Sequence, residues 1–364
     1  MKPDIFINIL KDHDFAHFMG VPCSVFTNLI NYLEDCEDIK NYTASSEGEA
    51  MGLAAGFSLC GKVPVIYMQN DGYGNIINPL SSLQLLYKLP ALLLISWRGE
   101  PGKKDAPQHT VMGNTILQLL DIFNIPKIIL DEDLEKVKLY ISEVKQHFKH
   151  NRTPFAFIIK KGYFENYEKK LSPSPINQHF RIEFIDLLSD YIDERDVLLG
   201  ATGFSGRELY QSVNHNGKFY MMGSMGCLAS IGMAIAEEKR DRRIFVFDGD
   251  GAILMKMGTL ATVGYYKPNN LIHICFDNET YESTGGQKTT SQTVDYIKVS
   301  KACGYRSAVY IERIEEFKEL LINIKEYDKP LFVQIKVKPG TVENLTRPAD
   351  SPEDMKNKIM EFLK

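Results

Sequence analysis

The sequence predicts an α/β protein built from two doubly wound parallel-sheet domains. Short, continuous apolar runs rich in β-branched residues recur along the chain, and stretches with helical spacing separate them. Parallel strands that are covered by helices on both faces read as continuous apolar runs rather than as alternating ones. A charged and then proline- and serine-rich stretch near the middle has no strong period, which indicates a linker.

The predicted strands divide the chain into two halves of similar size. In the first half they are residues 63–71, 91–97, 125–130 and 154–160. In the second half they are residues 196–203, 242–251, 270–278 and 330–337. We expect one domain over residues 1–165, a linker over residues 166–180 and a second domain over residues 181–364. The two domains are expected to share one architecture.

The composition excludes several classes of protein. Hydrophobic residues make up 44% of the 364 residues and charged residues 24%, which is typical of a globular protein. A net charge of -5 gives no basis for a nucleic-acid-binding surface. The apolar runs fall short of the roughly 20 residues that a membrane helix needs, and the first residues lack a signal-peptide pattern. We expect a soluble, cytoplasmic protein without nucleic-acid or membrane partners.

One predicted strand of the second half ends in a turn of glycines and aspartates. The run RRIFVF is followed by Asp248-Gly249-Asp250-Gly251, and a helical stretch follows from Ala252. In parallel α/β sheets, ligands bind where strands end and helices begin. The glycines let the backbone approach a ligand, and amides at the helix start can hold phosphate. Asp250 offers a carboxylate of the kind that Mg²⁺ binds, although the same glycines also fit an ordinary turn.

The next predicted strand supplies a second polar group. It ends at Asn278, after a spacer from Asp250 that is long enough for one strand–helix–strand crossover. Such a crossover places both strand ends at the same edge of a parallel sheet. Asp250, Asn278 and a backbone carbonyl near Thr280 can then share one divalent cation, with phosphate oxygens and waters completing its six ligands.

At these residues the sequence resembles the thiamine-diphosphate (ThDP) enzymes, whose signature is a GDG turn followed at about this distance by an asparagine. The resemblance implies that Asp250, Asn278 and the carbonyl of Thr280 hold Mg²⁺ against the diphosphate of the cofactor. It also implies a pyrimidine-binding domain at residues 1–165 and a diphosphate-binding domain at residues 181–364, without the central third domain of most larger members.

Further cofactor contacts follow from the same resemblance. Residues 220–236 look like the family segment that shapes the bent cofactor, in which Met225 is the apolar wedge between the two rings and the carbonyl of Gly223 accepts from the 4′-amino group. An ordinary core methionine is the alternative for Met225. The remaining residues assigned to the cofactor are Thr202, Gly203, Gly249, Gly251 and Ala252.

A predicted helix in the first half begins with two glutamates and continues with small residues. The helix dipole favours carboxylates at this position in any protein, which is the structural alternative for both Glu47 and Glu49. In ThDP enzymes, the cofactor-activating glutamate stands at a fixed distance before a glycine of such a helix, and Gly56 stands at that distance from Glu47. The resemblance therefore assigns the catalytic role to Glu47, with its carboxylate at N1′ of the aminopyrimidine in an apolar pocket. It also implies sites between subunits, and hence a dimer or a higher homo-oligomer.

Several stretches resemble one group within the two-domain members, the phosphonopyruvate decarboxylases. They are residues 69–80, 96–109, 282–291 and 338–348. The resemblance implies that 3-phosphonopyruvate is decarboxylated to phosphonoacetaldehyde and CO₂ with ThDP and Mg²⁺, in phosphonate biosynthesis of the 2-aminoethylphosphonate type. The alternative substrate is 3-sulfopyruvate, whose anionic head has a similar size and one charge fewer.

The polar stretch 96–109 offers groups that suit a small anionic 2-keto acid. A phosphonate beside a carboxylate needs several cations or donors, although a solvated surface loop would have the same composition. The tentative substrate contacts are Asn70, Asn75, Arg98, His109, Gly286 and Gln287, of which the last two could belong to a lid. Cys23 and Asp71 depart from the aspartate and the small residue expected from relatives, and both departures concern the substrate side.

Two other classes of function stay open on the sequence alone. The stretch GATGFSG at residues 200–206 suggests the dinucleotide loop of a dehydrogenase, but it lacks the GxGxxG spacing. A binding protein without activity is also compatible, because a fold does not by itself determine function.

Overall fold

The computed structural model describes residues 1–170 and 177–364. The chain divides into two compact units, Met1–Pro173 and Ser174–Lys364. Of the predicted linker, residues 171–176 lie outside the described residues, and the backbone amide of Lys170 donates a 2.8 Å hydrogen bond to Asp35 in the first unit. Within the described ranges, no helix combines the length and the apolar content needed to cross a membrane.

The first unit contains one parallel sheet. Its six strands within residues 1–170 are β1 (His17–Gly20), β2 (Lys40–Thr43), β3 (Val65–Gln69), β4 (Leu92–Trp97), β5 (Lys127–Ile129) and β6 (Phe155–Lys160). They are arranged in the order β2–β1–β3–β4–β6–β5, and each neighbouring pair is parallel. The helices are α1 (Pro3–Lys11), α2 (Thr27–Asp35), α3 (Glu47–Leu59), α4 (Tyr73–Pro79), α5 (Thr110–Ile122) and α6 (Leu134–His150).

Both faces of this sheet are covered by helices. Successive side chains of a strand point to opposite faces, and Tyr67 and Leu94 accordingly belong to one apolar core while Ile66 and Leu93 belong to another. Helices α1, α2 and α6 pack in the first core, and α3, α4 and α5 pack in the second. The predicted doubly wound arrangement is therefore confirmed for this unit.

The second unit repeats the arrangement. Its main sheet within residues 177–364 contains β7 (Val197–Gly200), β8 (Lys218–Tyr220), β9 (Ile244–Gly249), β10 (Leu271–Asp277), β13 (Ser307–Ile311) and β14 (Leu331–Lys336), and a separate antiparallel pair is formed by β11 (Thr280–Tyr281) and β12 (Gln287–Lys288). The helices are α7 (Arg181–Ser189), α8 (Phe204–Ser212), α9 (Leu228–Glu238), α10 (Asp250–Met255), α11 (Gly258–Tyr266), α12 (Tyr296–Cys303), α13 (Ile314–Ile322) and α14 (Pro352–Phe362).

The two main sheets have the same topology. The second is ordered β13–β14–β10–β9–β7–β8 and is also parallel. Numbered along each unit, both sheets read second, first, third, fourth, sixth, fifth strand, so the expected shared architecture is confirmed. Strands β1, β2, β8 and β13 were not predicted. Of these, β2, β8 and β13 lie at sheet edges and contain at most one fully buried residue each, so they form no continuous buried apolar run.

Candidate active site

Two neighbouring strands of the second unit bring the predicted metal ligands to one edge of the sheet. Strand β9 ends at Gly249 and α10 begins at Asp250, while β10 ends at Asp277. Phe276 lies opposite Gly249 in the register of this pair. Asp250 and Asn278 therefore follow the ends of adjacent parallel strands, as the crossover predicts.

Asp250 is a buried carboxylate that lacks a cationic partner in the described part of the chain. The residue is 2% exposed, and its Oδ2 accepts a 2.5 Å hydrogen bond from the hydroxyl of Thr289. Burial and the nearby carboxylate of Asp277 raise the pKa of Asp250 to about 8. A divalent cation would supply the positive charge that this position lacks.

Asp277, by contrast, is paired with Lys336, a cation that it shares with Glu279. Its Oδ2 accepts from Lys336 Nζ at 2.8 Å and from Gln334 Nε2 at 2.7 Å, and its Oδ1 accepts from Ser291 Oγ at 2.8 Å. Asp277 was not among the predicted site residues, although it directly precedes Asn278. The pairing leaves Asp250 as the carboxylate that is available to a metal ion.

Asn278 and Thr280 add further oxygen atoms to this edge. Asn278 Oδ1 accepts a 3.0 Å hydrogen bond from the backbone amide of Thr280, and the Oγ1 of Thr280 is buried without a hydrogen-bond partner among the described residues. Residues 1–170 and 177–364 hold no group of three or more His, Cys, Asp or Glu that could bind a metal ion. A single carboxylate with neutral oxygens instead fits Mg²⁺, which binds through one or two carboxylates and completes its shell with phosphate oxygens and water.

The side chain of Asn278 is hydrogen-bonded to a buried ion-pair network. The guanidinium of Arg181 binds both carboxylate oxygens of Glu208, at 2.6 and 3.0 Å, and donates to Glu282 at 3.0 Å. Glu282 in turn accepts a 3.2 Å hydrogen bond from the side-chain amide of Asn278. Burial raises the pKa of Glu282, an effect that Arg181 opposes. This network could not be predicted from the sequence, because its members lie on three separated segments.

Replacing Arg181 with methionine is expected to destabilise the second unit by about 3–5 kcal/mol, because it leaves the buried carboxylates of Glu208 and Glu282 without their cation. The matched control is Arg195→Met, which removes a surface ion pair with Asp241 that is more than half exposed on both sides and that should contribute about 0–1 kcal/mol. Urea unfolding followed by circular dichroism measures both changes. Equal stabilities of the two variants would contradict the role given to the network.

The glycines of the turn after β9 serve different purposes. A Cβ atom at Gly251 would lie 2.6 Å from Cε1 of Tyr281, so packing within the protein requires a glycine there. A Cβ at Gly249 would meet only the carbonyl oxygen of Phe276, at 3.9 Å, so protein packing places no such demand on Gly249. Ala252, in the first turn of α10, is buried at 7% exposure.

The other residues assigned to the cofactor lie after β7 and β8 of the same sheet. Gly203 begins α8 with a φ of 96°, a left-handed conformation that favours glycine, and Thr202 donates a 2.7 Å hydrogen bond to the carbonyl of Met222. The carbonyl of Gly223 accepts from the amide of Met225 at 2.6 Å. Met225 is half-buried, whereas Met221 is buried at 6% exposure, so Met225 retains surface that a ligand can cover.

In the first unit, the two glutamates at the start of α3 differ in their surroundings. Glu49 is exposed, and its carboxylate accepts from the amide of Ser45 at 2.8 Å, which is a local capping contact. Glu47 is 5% exposed, and its Oε2 accepts a 2.8 Å hydrogen bond from the amide of Asn75 at the start of α4. Of the two, Glu47 is thus the carboxylate held inside the fold.

The predicted substrate residues of the first unit lie after β3 and β4, and each forms a hydrogen bond within the protein. Asn70 donates to the carbonyl of Arg98 at 2.7 Å and accepts from its amide at 3.0 Å, which ties the two strand ends together. The guanidinium of Arg98 binds both oxygens of Asp105, at 2.7 and 2.5 Å. His109 Nδ1 lies 2.6 Å from Asp71 Oδ2. Asp71, the departure noted in the sequence, is therefore the partner of a histidine.

Gly286 and Gln287, the residues predicted to belong to a lid, follow Asn278 in the second unit. Gln287 is fully buried in β12, and its Oε1 accepts a 3.0 Å hydrogen bond from the hydroxyl of Thr284. Gly286 has a φ of 77° and no atom within 4 Å of where a Cβ would stand. The structure therefore places these two residues at a tight antiparallel turn beside Thr280.

Two family models match the chain, one in each unit. The N-terminal TPP binding domain of thiamine pyrophosphate enzymes matches residues 3–122, and the C-terminal TPP binding domain of the same enzymes matches residues 201–335. Glu47 lies in the first matched range, and Asp250, Asn278 and Thr280 lie in the second. The stretch 200–206, which suggested a dinucleotide loop, falls almost wholly within the second range.

Similar proteins cover nearly the whole chain. The chain is 33% identical to a phosphonopyruvate decarboxylase of Streptomyces viridochromogenes, over 94% of this chain and 90% of that protein. It is 31% identical to a phosphonopyruvate decarboxylase of Streptomyces hygroscopicus, over 94% and 89%. It is 27% identical to a sulfopyruvate decarboxylase of Methanosarcina acetivorans, over 98% and 96%.

Proposed function

The chain belongs to the family of thiamine pyrophosphate-dependent decarboxylases, and we propose that it converts 3-phosphonopyruvate to phosphonoacetaldehyde and CO₂. The observation that carries the proposal is the similarity to two phosphonopyruvate decarboxylases along nearly the whole chain, at 33% and 31% identity against 27% for the sulfopyruvate decarboxylase that matches over a similar length. The separate beta and alpha subunits of the Methanocaldococcus jannaschii sulfopyruvate decarboxylase match 50% and 43% of the chain at 34% and 37% identity, so 3-sulfopyruvate is the second candidate substrate. The aldehyde would serve phosphonate biosynthesis.

The residues of the second unit hold the diphosphate end of the cofactor in this proposal. Asp250, Asn278 and the carbonyl of Thr280 would hold Mg²⁺, whose positive charge would offset that of the diphosphate. The turn at Gly249 lets the backbone approach the phosphates. Gly223 and Met225 would contact the two rings of the cofactor and keep the cofactor in its bent conformation.

The first unit supplies the residue that holds a proton on the cofactor, Glu47. Glu47 holds a proton at N1′ of the aminopyrimidine, which its buried position favours because water cannot compete for it. When bound, thiamine diphosphate supplies the electron sink for the pair left on the substrate as CO₂ departs. The protein's own contribution is position, exclusion of water and control of that proton.

We assign the phosphonate head group to the loop after β4. The guanidinium of Arg98 is paired with Asp105, so its charge is partly balanced, and the imidazole of His109 lies against the carboxylate of Asp71. Lys103 and Lys104 on the same loop are exposed and make no ion pair within the ranges that the structure describes. A dianionic head group gains more from these cations than a monoanionic one does.

The substrate is tested by comparing kcat/KM for phosphonopyruvate, sulfopyruvate and pyruvate under one set of conditions. We expect phosphonopyruvate to exceed sulfopyruvate by at least about tenfold, which corresponds to about 1.4 kcal/mol from the additional charge. Pyruvate, which lacks the head group, is the matched control and should be the poorest substrate. A higher kcat/KM for sulfopyruvate would support the decarboxylation reaction but would contradict phosphonopyruvate as the substrate.

We also propose that the chain self-associates and that its active sites form at the subunit interface, as the family resemblance implies. The proposed reaction needs Glu47 from the first unit together with Asp250 and Asn278 from the second. A dimer is the smallest assembly that meets this expectation.

A further inference from the structure

The carboxylate of Glu47 lies directly against the backbone of Gly72. A Cβ atom built at Gly72 would be 2.3 Å from Oε1 of Glu47, 2.7 Å from its Cδ and 2.8 Å from its Cγ. Contacts this short do not occur between real side chains, so even an alanine at this position would displace the carboxylate or the backbone. The glycine leaves the space that the carboxylate occupies.

The backbone conformation gives no other reason for a glycine here. Gly72 has a φ of -67° and a ψ of -17°, which any residue adopts without strain. The absence of a side chain therefore matters for space and not for backbone freedom. This separates Gly72 from glycines such as Gly203, whose positive φ alone explains them.

The other oxygen of the same carboxylate is fixed by the neighbouring helix turn. Asn75 donates from Nδ2 to Oε2 of Glu47 at 2.8 Å. The two residues thus contact different oxygens of the carboxylate. Gly72 packs against Oε1, and Asn75 donates a hydrogen bond to Oε2. Both contacts therefore restrict where the carboxylate of Glu47 can lie.

We propose that Gly72 and Asn75 are positioning residues for Glu47. They set the place and the orientation in which its carboxylate faces the cofactor nitrogen, and this inference rests on the proposed function of Glu47. It also gives Asn75 a role other than the tentative substrate contact. A displacement of about 1 Å at a reacting group can lower a rate by about 100-fold. A side chain at residue 72 that displaced the carboxylate of Glu47 would therefore slow the proton step measurably.

The same segment contains a matched control. Gly74 lies in α4, two residues after Gly72, and nothing stands within 4 Å of its Cβ position. Gly74→Ala therefore adds the same methyl group to the same segment without touching Glu47. Alanine favours a helix over glycine by about 1 kcal/mol, so this variant should be at least as stable as the unchanged protein.

The test uses the full-length protein with ThDP and Mg²⁺ and no keto acid. We expect Gly72→Ala to slow deuterium exchange at C2 of the bound cofactor by about 10- to 100-fold, with unchanged affinity for ThDP. Gly74→Ala should exchange at the original rate. A crystal structure of Gly72→Ala without cofactor should show the carboxylate of Glu47 displaced from its place beside residue 72.

Asn75→Leu provides a second variant if Gly72→Ala does not fold, since Asn75 is exposed and its replacement changes no core residue. A positioning role slows C2 exchange in the absence of keto acid, whereas a substrate contact alone would leave that exchange unchanged and raise KM. Normal exchange in both Gly72→Ala and Asn75→Leu would overturn the inference, as would equal losses in Gly72→Ala and Gly74→Ala. Absence of exchange in the unchanged protein would instead reject the proposed function.

Discussion

Glu47→Gln is expected to lower kcat for decarboxylation by about 10²- to 10⁴-fold, the usual contribution of a positioned proton-transfer group. Glutamine has the size of glutamate, and its amide oxygen can still accept from Asn75, whose Nδ2 lies 2.8 Å from the carboxylate. It cannot hold or release a proton at the cofactor nitrogen. The affinity for ThDP and Mg²⁺ should therefore stay nearly unchanged while the proton step fails.

This expectation is checked by measuring C2 exchange, kcat and ThDP affinity on the same preparation. Glu49→Gln is the matched control, because Glu49 lies in the first turn of the same helix, is exposed, and its carboxylate accepts from Ser45 just before the helix. Its loss should cost no more than about 1 kcal/mol of stability and leave the rate unchanged. If Glu47→Gln keeps the original exchange rate, the proton role given to Glu47 is wrong.

Asp250→Asn is expected to weaken retention of Mg²⁺ and ThDP by at least about 100-fold. Loss of a residue that only supports a metal ligand costs about 10- to 100-fold in affinity, and Asp250 is proposed as a direct ligand. The nearby Asp277 cannot replace it, because its carboxylate is held by Lys336 and Gln334. Without metal and above pH 8, where the carboxyl of Asp250 is ionised, the same variant should unfold at an equal or higher urea concentration, because it removes a buried negative charge.

Equilibrium dialysis with ThDP at several Mg²⁺ concentrations measures the first effect, and urea unfolding in EDTA measures the second. Asp241→Asn is a suitable control, since its exposed carboxylate lies at the surface and pairs with Arg195. Unchanged cofactor retention in Asp250→Asn would remove the residue from the metal site. Destabilisation of the metal-free variant would show that Asp250 is structural.

The fold was predictable wherever burial shapes the sequence. The central strands are covered on both faces, so β4 and β10 appear as continuous apolar runs, and the glycine-rich ends of such runs locate the edge where Asp250 and Asn278 meet. The edge strands β2 and β8 were missed because each begins with a lysine, Lys40 or Lys218, and contains at most one buried residue, so neither forms a continuous buried apolar run.

The substrate side was less predictable, because it depends on pairing between distant segments. Arg98 and His109 read as available cations in the sequence, but the fold brings Asp105 to one and Asp71 to the other. The packing of Glu47 on Gly72 was equally hidden, since a glycine in a polar stretch carries no sign of what occupies its space. Only the juxtaposition of α3 with the segment after β3 reveals it.

Release of CO₂ from phosphonopyruvate by the purified protein measures cofactor-dependent decarboxylation directly. We expect equal amounts of CO₂ and phosphonoacetaldehyde, formed only when ThDP and Mg²⁺ are both present. No release of CO₂ by protein that has bound both ThDP and Mg²⁺ would contradict this expectation.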